Sequence, residues 1–134
     1  VTSSRINSTW GGNLIDMYRS ARQLEVIKRE NLVDNAAKRG VELIGGLNEL
    51  SSKYDFITNV RGSGTLAAFT LPSMELRNDM RNYILDGGAH VLNSGFTSIR
   101  LRPSLTLSSD EVDEALSIFD GAAKKLQSKE QFRM

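Results

Sequence analysis

The strand-like runs of this chain come in two adjacent pairs, and that pairing most narrows what it can fold into. Phe56-Ile57-Thr58-Asn59-Val60 and the run at 65–71 are β-prone and are separated by Gly62-Ser63-Gly64, a connection suited to a hairpin with positive φ. A second pair, Ala89-His90-Val91-Leu92 and Ser98-Ile99-Arg100-Leu101-Arg102, ends at Pro103. Strands joined by so few residues pair antiparallel, because a parallel partner needs a crossover of a dozen or more residues.

Helical periodicity accounts for most of the rest. Leu14, Met17, Tyr18, Ala21 and Leu24 recur at three- and four-residue steps, predicting an amphipathic helix to about Arg29. Val33, Ala36, Ala37, Val41, Ile44, Leu47 and Leu50 predict the buried stripe of a second helix. Ser73, after the strand-ending Pro72, caps a third, with Leu76, Met80, Tyr83 and Ile84 facing inward and Gly87-Gly88 closing it. Ser108-x-x-Glu111 is a capping box ahead of Val112, Ala115, Leu116, Phe119, Ala123 and Leu126. The order α-α-β-β-α-β-β-α predicts an α+β fold, a short antiparallel sheet of about four strands covered on one face by helices. No linker is visible, so one domain is expected over residues 1–134.

Composition excludes several functions. A chain of 134 residues can build one core but is short for an enzyme with two lobes around a cofactor, and the absence of an initiator Met at Val1 reads as part of a longer protein. Lys and Arg number 17 against 16 Asp and Glu, so the net charge of +1 carries no polyanion signal and nucleic acid is not an expected partner. No apolar run approaches the ~20 residues of a membrane span, so no membrane partner is expected. The lack of cysteine removes disulfides, thiolate nucleophiles and cysteine-based zinc sites, and is compatible with the cytoplasmic location expected here.

Chemistry is sparse. His90 is the single histidine, with no second His or Cys to form a metal site or a nucleophile-base pair, and it is assigned no role. Gly62-Ser63-Gly64 lacks the spacing of a dinucleotide loop. Asp110, Glu111, Asp113 and Glu114 lie at the start of a helix, where negative charge complements the macrodipole. Two places allow more. In Asn7-Ser8-Thr9-Trp10-Gly11-Gly12, hydroxyls and an amide stand beside two residues without Cβ, which suits either a plain loop leading into the helix or a phosphate contact. In the 98–102 run, alternation places Ile99 and Leu101 inward and Arg100 and Arg102 on the other face. Those arginines are either solvated or, as planar guanidinium groups on a rigid strand, set for bidentate capture of a carboxylate.

Three segments carry a family resemblance. Arg5-Ile6-Asn7-Ser8-Thr9-Trp10-Gly11-Gly12-Asn13, Asn59-Val60-Arg61-Gly62-Ser63-Gly64 and Ser98-Ile99-Arg100-Leu101-Arg102-Pro103 resemble, in order and spacing, the C-terminal part of class III, fold-type I aminotransferases of the lysine 6-aminotransferase and 4-aminobutyrate aminotransferase kind. The likeness runs from Arg5 to about Leu126 and implies the C-terminal small domain of a larger, pyridoxal-phosphate-dependent, homodimeric enzyme. It implies that Thr9, with Ser8 beside it, meets the phosphate of a cofactor held by the neighbouring subunit. It further implies that Arg100 holds the α-carboxylate of 2-oxoglutarate or glutamate, Arg102 being the alternative, and that Asn7 faces the substrate. The family's Schiff-base lysine and large cofactor-binding domain match upstream of Arg5, so no catalytic residue is expected in this chain, and alone it is expected to be inactive. The donor stays open between lysine and 4-aminobutyrate. The alternative is a free-standing module that keeps the fold and binds a carboxylate or an assembly partner.

Overall fold

Four helices and one sheet follow the expected order in the computed structural model, which describes residues 9–131. They are α1 (Leu14–Arg29), α2 (Leu32–Lys53), β1 (Thr58–Ser63), β2 (Leu66–Thr70), α3 (Met74–Asp86), β3 (Leu92–Ser94), β4 (Ser98–Leu101) and α4 (Ser109–Gln131). The chain divides into two compact units between residues 33 and 34, a boundary that falls inside α2 rather than in a linker.

In the first unit, Asn13 caps α1 by accepting from the Ile15 amide at 3.0 Å, and Asp16 near its start and Lys28 and Arg29 near its end complement the dipole. The helix forms where periodicity predicted it, but none of its residues is buried, so its stripe of Leu14, Met17, Tyr18 and Leu24 faces solvent.

In the second unit, α2, α3 and α4 cover one face of a four-stranded antiparallel sheet of order β1-β2-β4-β3. Ala67 and Phe69 of β2 and Ile99 and Leu101 of β4 point into the core against Leu43, Leu47 and Leu50 of α2, Met80 and Ile84 of α3, and Val112, Phe119 and Leu126 of α4. Helix ends follow their sequence signals. Ser73 accepts from the Leu76 amide at 3.2 Å, and Ser108 and Glu111 exchange bonds at 2.8 and 3.2 Å, the reciprocal pattern of a capping box.

Four local details differ from the sequence expectation. The buried stripe of α2 runs through Gly40, Leu43, Leu47 and Leu50, while Val33 and Val41 are 68 % and 75 % exposed. Gly40 sets this rotation: a Cβ there would collide with the Gly64 carbonyl, so only the glycine face of α2 can approach the first hairpin so closely. Gly62 and Ser63 belong to β1, and the turn is Gly64-Thr65, with only Gly64 of that segment left-handed at φ +54. Gly62 is needed for another reason, since a Cβ there would lie 2.5 Å from the Leu66 carbonyl oxygen. β3 is three residues long and starts at Leu92, because Gly88 (φ +100) and a bond from the Ala89 amide to the Ile84 carbonyl at 3.1 Å keep the preceding residues with the end of α3. β4 ends at Leu101, leaving Arg102 outside the sheet.

Asp120 joins α4 to the end of α2. It accepts from Lys53 at 2.5 Å, from the Tyr54 hydroxyl at 2.8 Å and pairs with Lys124 at 2.7 Å. Lys124 first, then Lys53 and Tyr54, hold its carboxyl well below the usual carboxylate range against the opposing effect of burial. A depressed folded value means stability that is present above the unfolded value of about 3.9 and lost as pH falls through the lower folded one. Asp120→Asn should therefore lower the thermal midpoint at neutral pH, and the gap from wild type should shrink as pH is taken below about 4. A gap that stays constant down to the acid limit would show that the ionised carboxylate contributes nothing.

Candidate functional site

Period-2 alternation leaves the second face of the sheet for chemistry. Register places Arg61 of β1, Ala68 of β2, Arg100 of β4 and Leu92 of β3 side by side, and Thr70, Ser98 and Ser94 form the adjacent row. Residues directly opposite one another share a face, so two arginines and, with Thr58 opposite Thr70, four hydroxyls stand opposite α2, α3 and α4.

Arg100 is half-buried in β4, flanked by Ala68 and Leu92. Its Nε is buried and finds no hydrogen-bond partner among the described residues. Arg39 has a similar buried Nε, but its Nη1 is paired with Glu42 at 3.0 Å. A buried guanidinium nitrogen without an acceptor costs desolvation, and because Arg39 is paired with Glu42 while no ion pair to Arg100 occurs among the described residues, the charge of Arg100 is the one of these two left for an external anion. It borders a 360 Å³ depression with Arg61, Ser63, Leu66, Ala68 and Ser94. The small Ala68 between the two arginines leaves that space open. Arg102 is exposed, beyond the strand and next to Pro103.

Arg61 is held differently. Its Nη1 donates to the Asn59 carbonyl at 2.8 Å and to Thr70 Oγ1 at 3.2 Å, and its Nη2 donates to Ser98 Oγ at 3.1 Å. The Thr70 and Ser98 hydroxyls bond each other at 3.0 Å. Sequence reading placed Ser98 beside the strand arginines and Arg61 in the Arg-Gly-x-Gly turn but assigned neither a role, and it passed over Thr70. The signal that would have found them is register, which depends on a bulge between Thr58 and Arg61 that no propensity reveals. Arg77, 5 % exposed on α3, was also missed, and its Nη1 donates to the Gly95 carbonyl at 3.2 Å, tying the tip of the second hairpin to that helix.

Thr9 stands in the first unit, exposed at the start of a turn that a bond from the Asn13 amide to the Trp10 carbonyl closes at 3.3 Å. Gly12 adopts φ +82 in that turn, with open space where a Cβ would be. Asn7 and Ser8 lie outside the described residues. His90 is exposed and precedes β3 rather than lying in it, and no cluster of metal-ligating side chains occurs among the described residues.

The sequence profile of the class-III aminotransferases matches residues 1–123. L-lysine-epsilon aminotransferase from Streptomyces clavuligerus is 41 % identical over 116 residues, covering 85 % of this chain and 25 % of that protein. The mitochondrial 4-aminobutyrate aminotransferase of Mus musculus is 36 % identical over 118 residues, covering 87 % of this chain and 24 % of its own length. The chain thus spans about a quarter of the length of the curated relatives it matches. Among solved structures, lysine aminotransferase from M. tuberculosis in its internal aldimine form superposes with a TM-score of 0.84 at 37 % identity, over 93 % of this chain and 29 % of that one. With a profile match over nearly its whole length and a fold shared at that identity, the chain belongs to the class-III aminotransferases.

Proposed function

We propose that this chain is the small, acceptor-binding domain of a homodimeric pyridoxal-phosphate transaminase that moves a terminal amino group, from lysine or 4-aminobutyrate, to 2-oxoglutarate and yields glutamate. The observation that carries this reading is the buried, unpartnered Nε of Arg100 on the sheet face opposite α2, α3 and α4. Relatives named for lysine and for 4-aminobutyrate support the substrate class and leave the donor between these two. In this reading the large cofactor-holding domain lies outside these 134 residues and the chain by itself is inactive, which fits matches that extend over only a quarter of those relatives.

Within this reading the work of the chain is binding and orientation. Arg100, seated between Ala68 and Leu92, offers a rigid fork to the α-carboxylate of the 2-oxo acid and so aims its carbonyl carbon toward the amine. When bound, the cofactor supplies an electron sink for the pair left as the amine carbon loses its proton. The exposed Thr9, in the same turn as the open space at Gly12, suits a phosphate oxygen presented by the second subunit, and the family likeness assigns its sequence neighbours Ser8 to the cofactor and Asn7 to the substrate.

Removing an unsatisfied donor does not cost stability, so Arg100→Met should leave the thermal midpoint unchanged or slightly raised; a fall of several degrees would mean that the guanidinium is satisfied within the fold. In the full-length enzyme, Arg100→Lys should raise KM for 2-oxoglutarate about ten- to a hundred-fold, roughly 1.4 to 3 kcal/mol, while Arg102→Lys on the exposed segment spares it. The reverse pattern would move the carboxylate to Arg102, and no effect from either would remove it from this face. Thr9→Ala should weaken cofactor binding by about 1.5 to 3 kcal/mol, the worth of one hydrogen bond to a charged group, and an unchanged cofactor Kd would leave Thr9 as a shaper of the turn.

A further inference from the structure

We infer that Arg61 is a positioning residue for acceptor binding: it ties β1, β2 and β4 together on the face opposite α2, α3 and α4 and thereby fixes the strand that presents Arg100. The inference rests on the reading of Arg100 as the carboxylate-holding group.

Arg61, Ala68 and Arg100 are neighbours across three strands, so the two guanidinium groups share one face and border the same depression. Their bonding differs. The Arg61 bonds described above run to the Asn59 carbonyl and to the Thr70 and Ser98 hydroxyls, all neutral oxygens of its own fold. Three of the five guanidinium N–H groups of Arg61 are thus given to internal acceptors, whereas the buried Nε of Arg100 has none. Ser98 lies two residues before Arg100 on the same face of the same short strand. It is only 9 % exposed although it stands on the face opposite α2, α3 and α4, and the guanidinium hydrogen-bonded to it is one of the groups that shield it.

The backbone is arranged to put Arg61 there. Thr58 is opposite Thr70, and three residues later an undistorted ladder would bring residue 61 opposite Ala67, whose side chain points into the core. The bulge adds one residue, with Asn59 left-handed at φ +50, and brings Arg61 opposite Ala68 instead. One inserted residue therefore moves a guanidinium from the apolar core to the row that contains Arg100. β4 pairs with β2 and β3 but not with β1, so the Arg61–Ser98 bond is a side-chain tie that reaches it from beyond its backbone neighbours.

The test uses the full-length enzyme with amine donor and 2-oxo acid measured as separate half-reactions. Arg61→Lys keeps the charge and removes the fork, and Ser98→Ala removes its anchor on β4. Both should raise KM for the 2-oxo acid by roughly three- to twenty-fold, with kcat and the donor half-reaction within about two-fold of wild type and little change in thermal midpoint. If Arg61 acts through Arg100, the Arg61→Lys/Arg100→Lys double variant should be no worse for the acceptor than Arg100→Lys alone. Additive losses in the double variant, or a normal Arg61→Lys beside a defective Arg61→Met, would overturn the inference, the latter by showing that charge rather than geometry matters. So would a defect that falls equally on both half-reactions. Arg100→Lys in the same series separates the two readings: if it is normal, the carboxylate assignment fails and takes this inference with it. If it is defective while Arg61→Lys and Ser98→Ala are normal, only the role given to Arg61 fails.

Discussion

A β-sheet residue can serve only one face, and in this chain that restriction organises the second unit. β2 and β4 alternate between Ala67, Phe69, Ile99 and Leu101, which pack against three helices, and Ala68, Thr70, Ser98 and Arg100, which do not. Because α2, α3 and α4 lie on one side, the other side can carry arginines and hydroxyls without disturbing the core. The candidate site is thus a consequence of covering the sheet once rather than twice.

Close approaches keep that arrangement rigid. Gly40 lets α2 come against the carbonyl of Gly64, Gly46 makes room for Leu116, and Gly62 admits the Leu66 carbonyl. At the other end of α2, Asp120 gathers Lys53, Tyr54 and Lys124, and Lys129 of α4 reaches Asp79 of α3 at 2.6 Å. The Asp120 contacts involve a mostly buried carboxylate and two half-exposed ammonium groups, so they favour one docking angle more than they add free energy. Together these contacts leave little freedom in the platform from which the sheet presents its open face.

Much of this was legible beforehand, and what was missed has a common cause. Ser73 and Ser108 announced helix starts because capping is a local bond between residues three apart. Arg100 and Ile99 were placed on opposite faces by alternation alone. The turn at Gly64-Thr65, the left-handed Asn59 and the rotation of α2 about Gly40 were not legible, since each answers to a residue distant in sequence. Val33 and Val41 fit a helical stripe as well as Leu43 does, and periodicity could not know which side of α2 would meet a glycine hairpin. The apolar stripe of α1 was likewise visible, while its exposure was not.

The sequence by itself determined the order of elements, the antiparallel pairing, the helix boundaries at their caps and the family, because all of these follow from local bonds, short loops and residue-by-residue likeness. Only the tertiary structure decided how each arginine of the sheet is bonded. Register set Arg61 beside Ala68 and Arg100, left one guanidinium nitrogen buried without an acceptor, and gave the other guanidinium acceptors on three strands. Hydrogen-bond satisfaction is a property of neighbours brought together by packing, and a linear chain does not contain it until the strands have paired.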